Sequence, residues 1–437
     1  MEPNNQYEYN REPWEQPTRV VTRTRIWPIV LAALGAALLT LTLCVVFLGG
    51  RGNSSKRPTP TKPAGESGTS SGQEELSQEN YADKLEEIKS YIDAYFIGDI
   101  DENKLADEAA AGMIKGLDDE WSYYIPAEEY ASYLESVTNS YVGIGVTITS
   151  EGVEKGLLVK DVTPESPAYR AGMEIGDLIT AVEGVPVLDG SEEAIDLNET
   201  KNRVRGPEGT QVTITVVHEG EARELTITRE TIKMVNVTGQ SLDDGLYYIR
   251  IGNFEQDAAK DTIAKIEEAK AQGAKGIIFD VRYNPGGYKR ELVELLDYLL
   301  PAGPLFRSLD YAGRESVDNS DEKYLDLPMA VLVNYNSYSA AEFFGAALQE
   351  YEAATIVGEQ TYGKGRFQTA FELSDGSAIN ISIGQYTTPK GVSLVGKGIT
   401  PDCVVELSEE EEADLYYGRL SFEEDDQLQK AIEVLTN

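Results

Sequence analysis

Histidine is almost missing from this chain: its 437 residues hold one, His218. That residue lies in Thr213-Ile-Thr-Val-Val-His-Glu-Gly220, which reads as a strand running into a turn, and a His-based catalytic triad is thereby set aside. Cysteine is nearly as scarce. Cys44 falls in a long apolar run and Cys403 near the C-terminal end, so no intramolecular disulfide is expected, and there is no Cys/His cluster to hold a metal. Positive charge is the third shortage, since 38 Lys and Arg against 75 Asp and Glu leave a formal net charge of −37. Nucleic acid and an anionic membrane face both repel such a surface, which excludes them as the main partner. What is present is a chain long enough for two or three domains and 41% apolar, enough for real cores.

Residues 26–48 run for 23 positions without a charge, enough at about 1.5 Å per residue to cross a hydrocarbon core of roughly 30 Å. A transmembrane anchor is expected over residues 26–50, after a cytoplasmic tail of residues 1–25. A cleavable signal peptide is the rival reading, but the run exceeds the usual apolar region and no Ala-x-Ala site follows it. Leu43 before Cys44 also spoils a lipoprotein cleavage box. Arg11, Arg19, Arg23 and Arg25 precede the run and Arg51, Lys56, Arg57 and Lys62 follow it, so charge alone leaves the orientation open. Residues 51–79 hold 16 Gly, Ser, Thr or Pro and one large aliphatic residue, Leu76, the composition of a flexible linker with a reach of about 30 Å. Beyond it the pattern turns helical over residues 80–138, with Leu85, Ile88, Tyr91, Ile92 and Tyr95 at helix spacing. These helices read as core scaffold or as a dimerisation arm.

The chemistry gathers in two short segments. In the first, a β-branched apolar run at Val331 passes through Asn334-Tyr-Asn-Ser-Tyr-Ser339 into a helical pattern that carries Phe343, Phe344, Ala347 and Leu348. Ser337 and Ser339 therefore stand at a strand-to-helix junction, where the first free N–H groups of a helix point at the same spot. Many serines so placed are only N-caps. In the second segment, Gln360-Thr-Tyr-Gly-Lys-Gly-Arg-Phe-Gln368, two glycines flank Lys364 and leave its amine room. A lysine can serve a serine as base if burial lowers its pKa from about 10.4 toward roughly 7–8, at a cost of about 4 kcal/mol, which only a pre-built site would carry.

Taken together, the two segments resemble the C-terminal processing peptidases, the Ser/Lys tail-specific proteases, with their Ser-Ala-Ser-Ala-Ser-Glu turn and Phe-Gly-Lys-Gly…Gln segment. The resemblance implies that Ser339 is the nucleophile, Lys364 its base and Gln368 a residue that orients the base. Tyr338 and Ala341 depart from the family's small residue and third serine. Asp118-Asp-Glu-Trp-Ser-Tyr-Tyr-Ile-Pro-Ala-Glu-Glu-Tyr130 resembles the family's Asp-Pro-Tyr-Ser-x-Tyr entry to the next domain, with Glu120 and Trp121 in place of the Asp-Pro. Asn284-Pro-Gly-Gly287, whose glycines let backbone N–H groups approach a ligand, resembles the loop that gives one oxyanion-hole N–H, from Gly286 or Gly287, while Ala340 gives the other. Residues 139–232 resemble a PDZ domain, in which Gly143, Ile144 and Gly145 would form the nest for a peptide carboxylate.

The implied fold is α/β and multidomain: a crotonase-like α/β peptidase core, residues 233–437, with an inserted β-rich PDZ domain and an N-terminal helical segment, preceded by one transmembrane helix. The implied function is that of a membrane-anchored serine endopeptidase, catalytic region outside the cytoplasm, that acts on proteins captured by their C-terminal tails. No cofactor is needed, and a homodimer is a further expectation. Two alternatives belong to other classes: a binding scaffold in which only the PDZ domain works, and a crotonase-like acyl-transfer enzyme, which leaves a PDZ domain without a task. Within the core, Ala258 to Ala271 and Lys289 to Leu300 read as helices, Gly276 to Val281 as a buried strand, and the acidic run Glu409 to Glu412 as a solvated loop.

Overall fold

Gly276–Asp280 and Met329–Val333 are buried at every position, as expected of strands covered on both faces. They lie at the centre of a six-stranded sheet in the order Val237–Ser241, Leu246–Ile251, Gly276–Asp280, Met329–Val333, Ala354–Gly358 and Cys403–Val404. The first pair is antiparallel and all later neighbours are parallel. The computed structural model of the chain describes residues 78–191 and 193–436. The expected tail, membrane span and nearly all of the linker lie outside the described residues. Among the described residues no helix is long and apolar enough to cross a membrane.

Alternate residues of the central strands face two cores. Ile277, Phe279, Val331 and Val333 meet Leu292, Leu295, Leu296, Phe343 and Phe344 from the helices Lys289–Leu299 and Ala340–Glu350. Ile278, Ala330 and Leu332 meet Leu428 and Ala431 of the C-terminal helix Asp426–Thr436. A second sheet pairs Ala378–Thr387 with Gly303–Asp310 and with Arg366–Glu372, and it takes a strand from far upstream, Tyr123–Ile125. The region before residues 139–232 is thus built into a sheet whose other strands follow them, and it brings Asp119, Glu120 and Trp121 with it.

The PDZ sheet runs Val146–Thr149, Leu157–Val162, Leu178–Val182, Gln211–His218 and Glu221–Thr228. Along Gln211–His218 the alternation is strict, with Val212, Ile214 and Val216 all buried. His218 sits here, its Nδ1 2.7 Å from buried Asp177, remote in the sequence from the catalytic segments. The domain joins the rest through the ribbon Ser140–Gly143 with Glu230–Lys233 and through a buried pair, Asn139 and Asn253, whose side-chain amides donate to each other at 3.1 and 2.9 Å.

The described residues fall into two units, 78–100 and 101–436. In the first, Gln78–Tyr95 is one helix, so it takes in the last two residues of the expected linker. One expectation fails outright. The acidic run is the first turn of the helix Glu409–Tyr416, opened by a capping box between Ser408 and Glu411. The reason is electrostatic as well as local: carboxylates at a helix N-terminus face the positive end of its dipole.

Candidate active site

Five residues separate the end of the strand Met329–Val333 from Ser339, and buried polar groups hold each part of that turn. Asn334 Oδ1 accepts from the N–H of Tyr283 at 3.0 Å and of Asn336 at 3.1 Å. Ser337 is fully buried, donates to the Val281 carbonyl at 2.7 Å and accepts from the Asn334 N–H at 3.0 Å. Tyr338 N–H donates to the Asn284 carbonyl at 3.2 Å. Of the two serines at the junction, Ser337 is therefore a strap. Ser339 stands at the N-cap position of Ala340–Glu350 but makes no capping bond, and its backbone has φ +58 and ψ −123. Such a conformation costs on the order of 1–3 kcal/mol and persists where the surroundings over-determine it. The ordinary N-cap reading of Ser339 thus does not hold.

Lys364 comes to the same place through Glu342, in the first turn of the same helix. The buried Glu342 carboxylate accepts from the Gly363 N–H at 2.7 Å, from the Lys364 N–H at 3.0 Å and from the Thr361 hydroxyl. Burial pushes its pKa up to about 7, against the pull of these bonds and of the Lys364 charge. The Tyr386 phenol donates to the Lys364 carbonyl at 2.6 Å, and Ser339 lies close enough to act on its titration. Burial, and then the nearby Glu342, raise the pKa of that phenol.

The Lys364 amine lies 4.2 Å from the centre of the Trp121 ring and 6.0 Å from that of Tyr338. Burial lowers its pKa to about 8, although the carboxylates of Asp119, Glu120, Glu255 and Glu342 pull the other way. Among the described residues the amine has no hydrogen bond to Ser339. Gln368 is likewise apart from it, donating its amide to Ser382 Oγ at 2.9 Å. The cause is register: Gln368 and Ser382 are direct cross-strand partners, so the short path for the amide leads across the ladder.

The two loop glycines differ. Gly286 has φ +94, and a Cβ there would lie 2.6 Å from Ser339 Cβ. Its N–H donates to Asn284 Oδ1 at 2.8 Å. At Gly287 a Cβ would meet the Phe254 carbonyl carbon at 2.2 Å, because Phe254 N–H donates to Gly286 O and Tyr288 N–H to Phe254 O, both at 2.7 Å. The Gly287 N–H has no acceptor among the described residues, and Ala340 N–H is the first free donor of its helix. In the PDZ domain, Ile144 O accepts from the Ala168 N–H at 2.9 Å and Gly145 O from the Thr163 N–H at 3.0 Å. The carbonyls of that loop are committed inward, and the N–H groups of Ile144 and Gly145 are without acceptors among the described residues.

Sequence reasoning passed over Glu342, Tyr386 and Trp121. For Glu342 a signal existed, since it is the one charge among the apolar residues 340–348. For Tyr386 and Trp121 the role depends on strands that meet only in the folded chain. Among the described residues no cluster of side chains is suited to hold a metal.

Comparison with known proteins gives these observations a family. The model for peptidase family S41 matches residues 245–405, the PDZ domain model residues 158–218, and the model of the activating protease CtpB N-terminal domain residues 51–129. The carboxy-terminal processing protease CtpA of Bacillus subtilis is 31% identical over 81% of this chain and 74% of its own. The carboxyl-terminal-processing protease of Synechocystis is 32% identical over 74% of this chain and 75% of its own. A solved photosystem II D1 C-terminal processing protease aligns over 79% of this chain and 92% of its own with 27% identity and a TM-score of 0.44. The chain belongs to the carboxy-terminal processing proteases of peptidase family S41, serine-type peptidases that here carry a PDZ domain.

Proposed function

We propose that this peptidase is anchored in the membrane by residues 26–50, with its catalytic region outside the cytoplasm, and cuts protein substrates with a Ser339/Lys364 dyad after the PDZ domain has taken hold of their C-terminal tails. The observation that carries the dyad is one helix serving two ends. Ala340–Glu350 holds Ser339 in a strained, uncapped conformation, and from its first turn Glu342 fixes the backbone of a desolvated lysine. A binding scaffold has no use for either feature.

In the reaction, neutral Lys364 takes the proton of Ser339 as Oγ attacks the substrate carbonyl carbon. The tetrahedral oxyanion is received by the N–H groups of Gly287 and Ala340, since that of Gly286 is held by Asn284. The lysine then returns the proton to the departing amine, and water, deprotonated by the same amine, clears the acyl-enzyme. The lysine has to leave Trp121 for Ser339, and Gln368 acts on it from the neighbouring strand once it has moved.

The test is cleavage of an unfolded protein by the chain from residue 78 onward, beside Ser339→Ala, Lys364→Ala and the double variant. Loss in both singles with an intact fold supports the dyad; substantial activity in Lys364→Ala refutes it. Anchoring is tested by extracting full-length protein in alkaline carbonate. Recovery of a mature protein that begins near residue 50 would show a cleaved signal peptide instead.

A further inference from the structure

In the mechanism above Trp121 is only the ring that Lys364 leaves, yet among the described residues its ring lies nearer the base than that of Tyr338. It is also firmly placed. The next residue, Ser122, accepts from the Ser382 N–H at 3.1 Å and donates to Asp119 at 2.5 Å; Arg366 pairs with Asp119 at 2.8 Å. On the preceding side, the Tyr362 hydroxyl donates to Glu120 at 3.0 Å. The indole packs at 5.7 Å from the Tyr338 ring and 5.2 Å from the Tyr362 ring, and those two rings are 5.8 Å apart. Three rings from three separate segments thus form a wall, and the Lys364 amine sits 4.2 Å from the face of one of them.

An indole face attracts an ammonium through its quadrupole and has no such attraction for a neutral amine. The contact therefore belongs to the protonated lysine. The same ring keeps water off the amine, which disfavours the charged form. One side chain thus exerts two opposed effects on one proton.

We propose that Trp121 is a positioning residue for the base: its face receives the Lys364 amine while protonated, releases it to Ser339 when neutral, and closes the amine off from water throughout. The proposal rests on the Ser339/Lys364 reading. The charged and titratable groups around the amine are Asp119 and Glu120 on the upstream segment, Glu255, Glu342 on the nucleophile's helix and the phenol of Tyr338; beyond them Tyr362 packs on the indole and Tyr386 donates to the Lys364 carbonyl. All of them stay when Trp121 is changed, so a shift reports the ring.

The experiment measures kcat/KM against pH for the full-length protein and its Trp121→Leu, Trp121→Ala and Lys364→Ala forms. In parallel, acetic anhydride labels Lys364 across the same pH range and mass spectrometry reads its titration without any need for activity. Leucine keeps the cover and removes the quadrupole, so the Lys364 titration and the acidic limb should move down by about half a pH unit. Alanine removes both, and the larger loss of cover should move them up by about half a unit or more. A titration unmoved in Trp121→Leu overturns the parking of the protonated amine, and one that falls in Trp121→Ala as far as it does in Trp121→Leu overturns the water shield. If Lys364→Ala stays active, the dyad has failed. If Lys364→Ala is inactive and neither tryptophan variant shifts the titration, only the role of Trp121 has failed.

Discussion

Two loops of this protein turn free backbone N–H groups outward, and they are held in different ways. Behind Gly287 and Ala340 stand buried polar side chains, Asn284, Asn334, Ser337 and Glu342, each bonded to backbone of another segment. Behind Ile144 and Gly145 the holding groups are chiefly backbone, the N–H groups of Ala168 and Thr163, on a small apolar core. Side-chain straps at low dielectric are costly to leave half-made, so the first arrangement fixes one geometry and can sustain the strain at Ser339. The second asks less of its side chains. The catalytic loop should therefore respond sharply to single substitutions, whereas the binding loop should respond mildly and only for substrates that use it.

The sharpest expected effect is at the dyad. Ser339→Ala and Lys364→Ala should each lower kcat/KM by about four orders of magnitude or more, with the double variant no worse than either, as for groups that act as a unit. Circular dichroism and melting temperature should show the fold intact. Additive losses in the double variant would mean that the two residues act separately.

Next comes the strap. Glu342→Ala leaves the N–H groups of Gly363 and Lys364 without their partner, at about 1–3 kcal/mol for each buried group, and with the lysine loop loosened kcat/KM should fall by about one to two orders of magnitude. Glu342→Gln adds a signature in pH. The folded chain raises this carboxyl from 4.5 to about 7, so it holds the proton more tightly than the unfolded chain does. That stabilisation is complete below about pH 4.5 and is lost as pH rises through about 7. Glutamine stays neutral, so between those limits wild type should lose stability relative to Glu342→Gln, by up to about 3 kcal/mol. Urea unfolding of both proteins at pH 5 and pH 7.5 measures it, and an equal difference at the two pH values would contradict the raised carboxyl.

How much of this was legible beforehand depended on how far apart the partners lie. The helix Ala258–Ala271 and the inward leucines of Lys289–Leu299 follow from local periodicity. The serine turn and the glycine-flanked lysine are likewise local. The bond from Gln368 to Ser382 was not legible, because it depends on a strand register with a shift between Phe367 and Gln368. The approach of Trp121 to Lys364 depends on Tyr123–Ile125 joining a sheet whose other strands come after the whole PDZ domain. That the Gly286 N–H is already engaged depends on one side-chain acceptor, Asn284, at 2.8 Å. Glu409–Glu412 is different: Ser408 and Glu411 stood at capping-box spacing in the sequence, and the charge run concealed them.

A gentler test concerns the rate profile. With Lys364 lowered to about 8, only its neutral form can accept the serine proton, so kcat/KM should rise through about pH 8 as the amine loses its charge. A flat profile from about pH 5 to 9, with the fold intact, would remove lysine as the base.

The smallest effect is expected at the other loop. A free C-terminal carboxylate would accept charge-assisted hydrogen bonds from the Ile144 and Gly145 N–H groups, whereas an amidated end offers a neutral oxygen and weaker bonds. At sub-saturating concentration an amidated substrate should therefore be cut more slowly at distant sites, by about three- to tenfold. The structure also provides a clean excision. Gly143 and Glu230 are direct partners in the ribbon that joins the PDZ domain to the rest, so residues 144–229 can be replaced by a short glycine turn that leaves the ribbon paired. In that protein the acid and amide forms should be cut at the same rate. Whether the common rate is higher or lower than before tells whether the PDZ domain restrains the catalytic loop or supports it, since a tail shifts the balance only by binding one arrangement more tightly than the other. Equal rates for acid and amide substrates in the intact enzyme would separate the two loops completely, leaving the Ser/Lys chemistry in place and removing tail recognition from this PDZ domain.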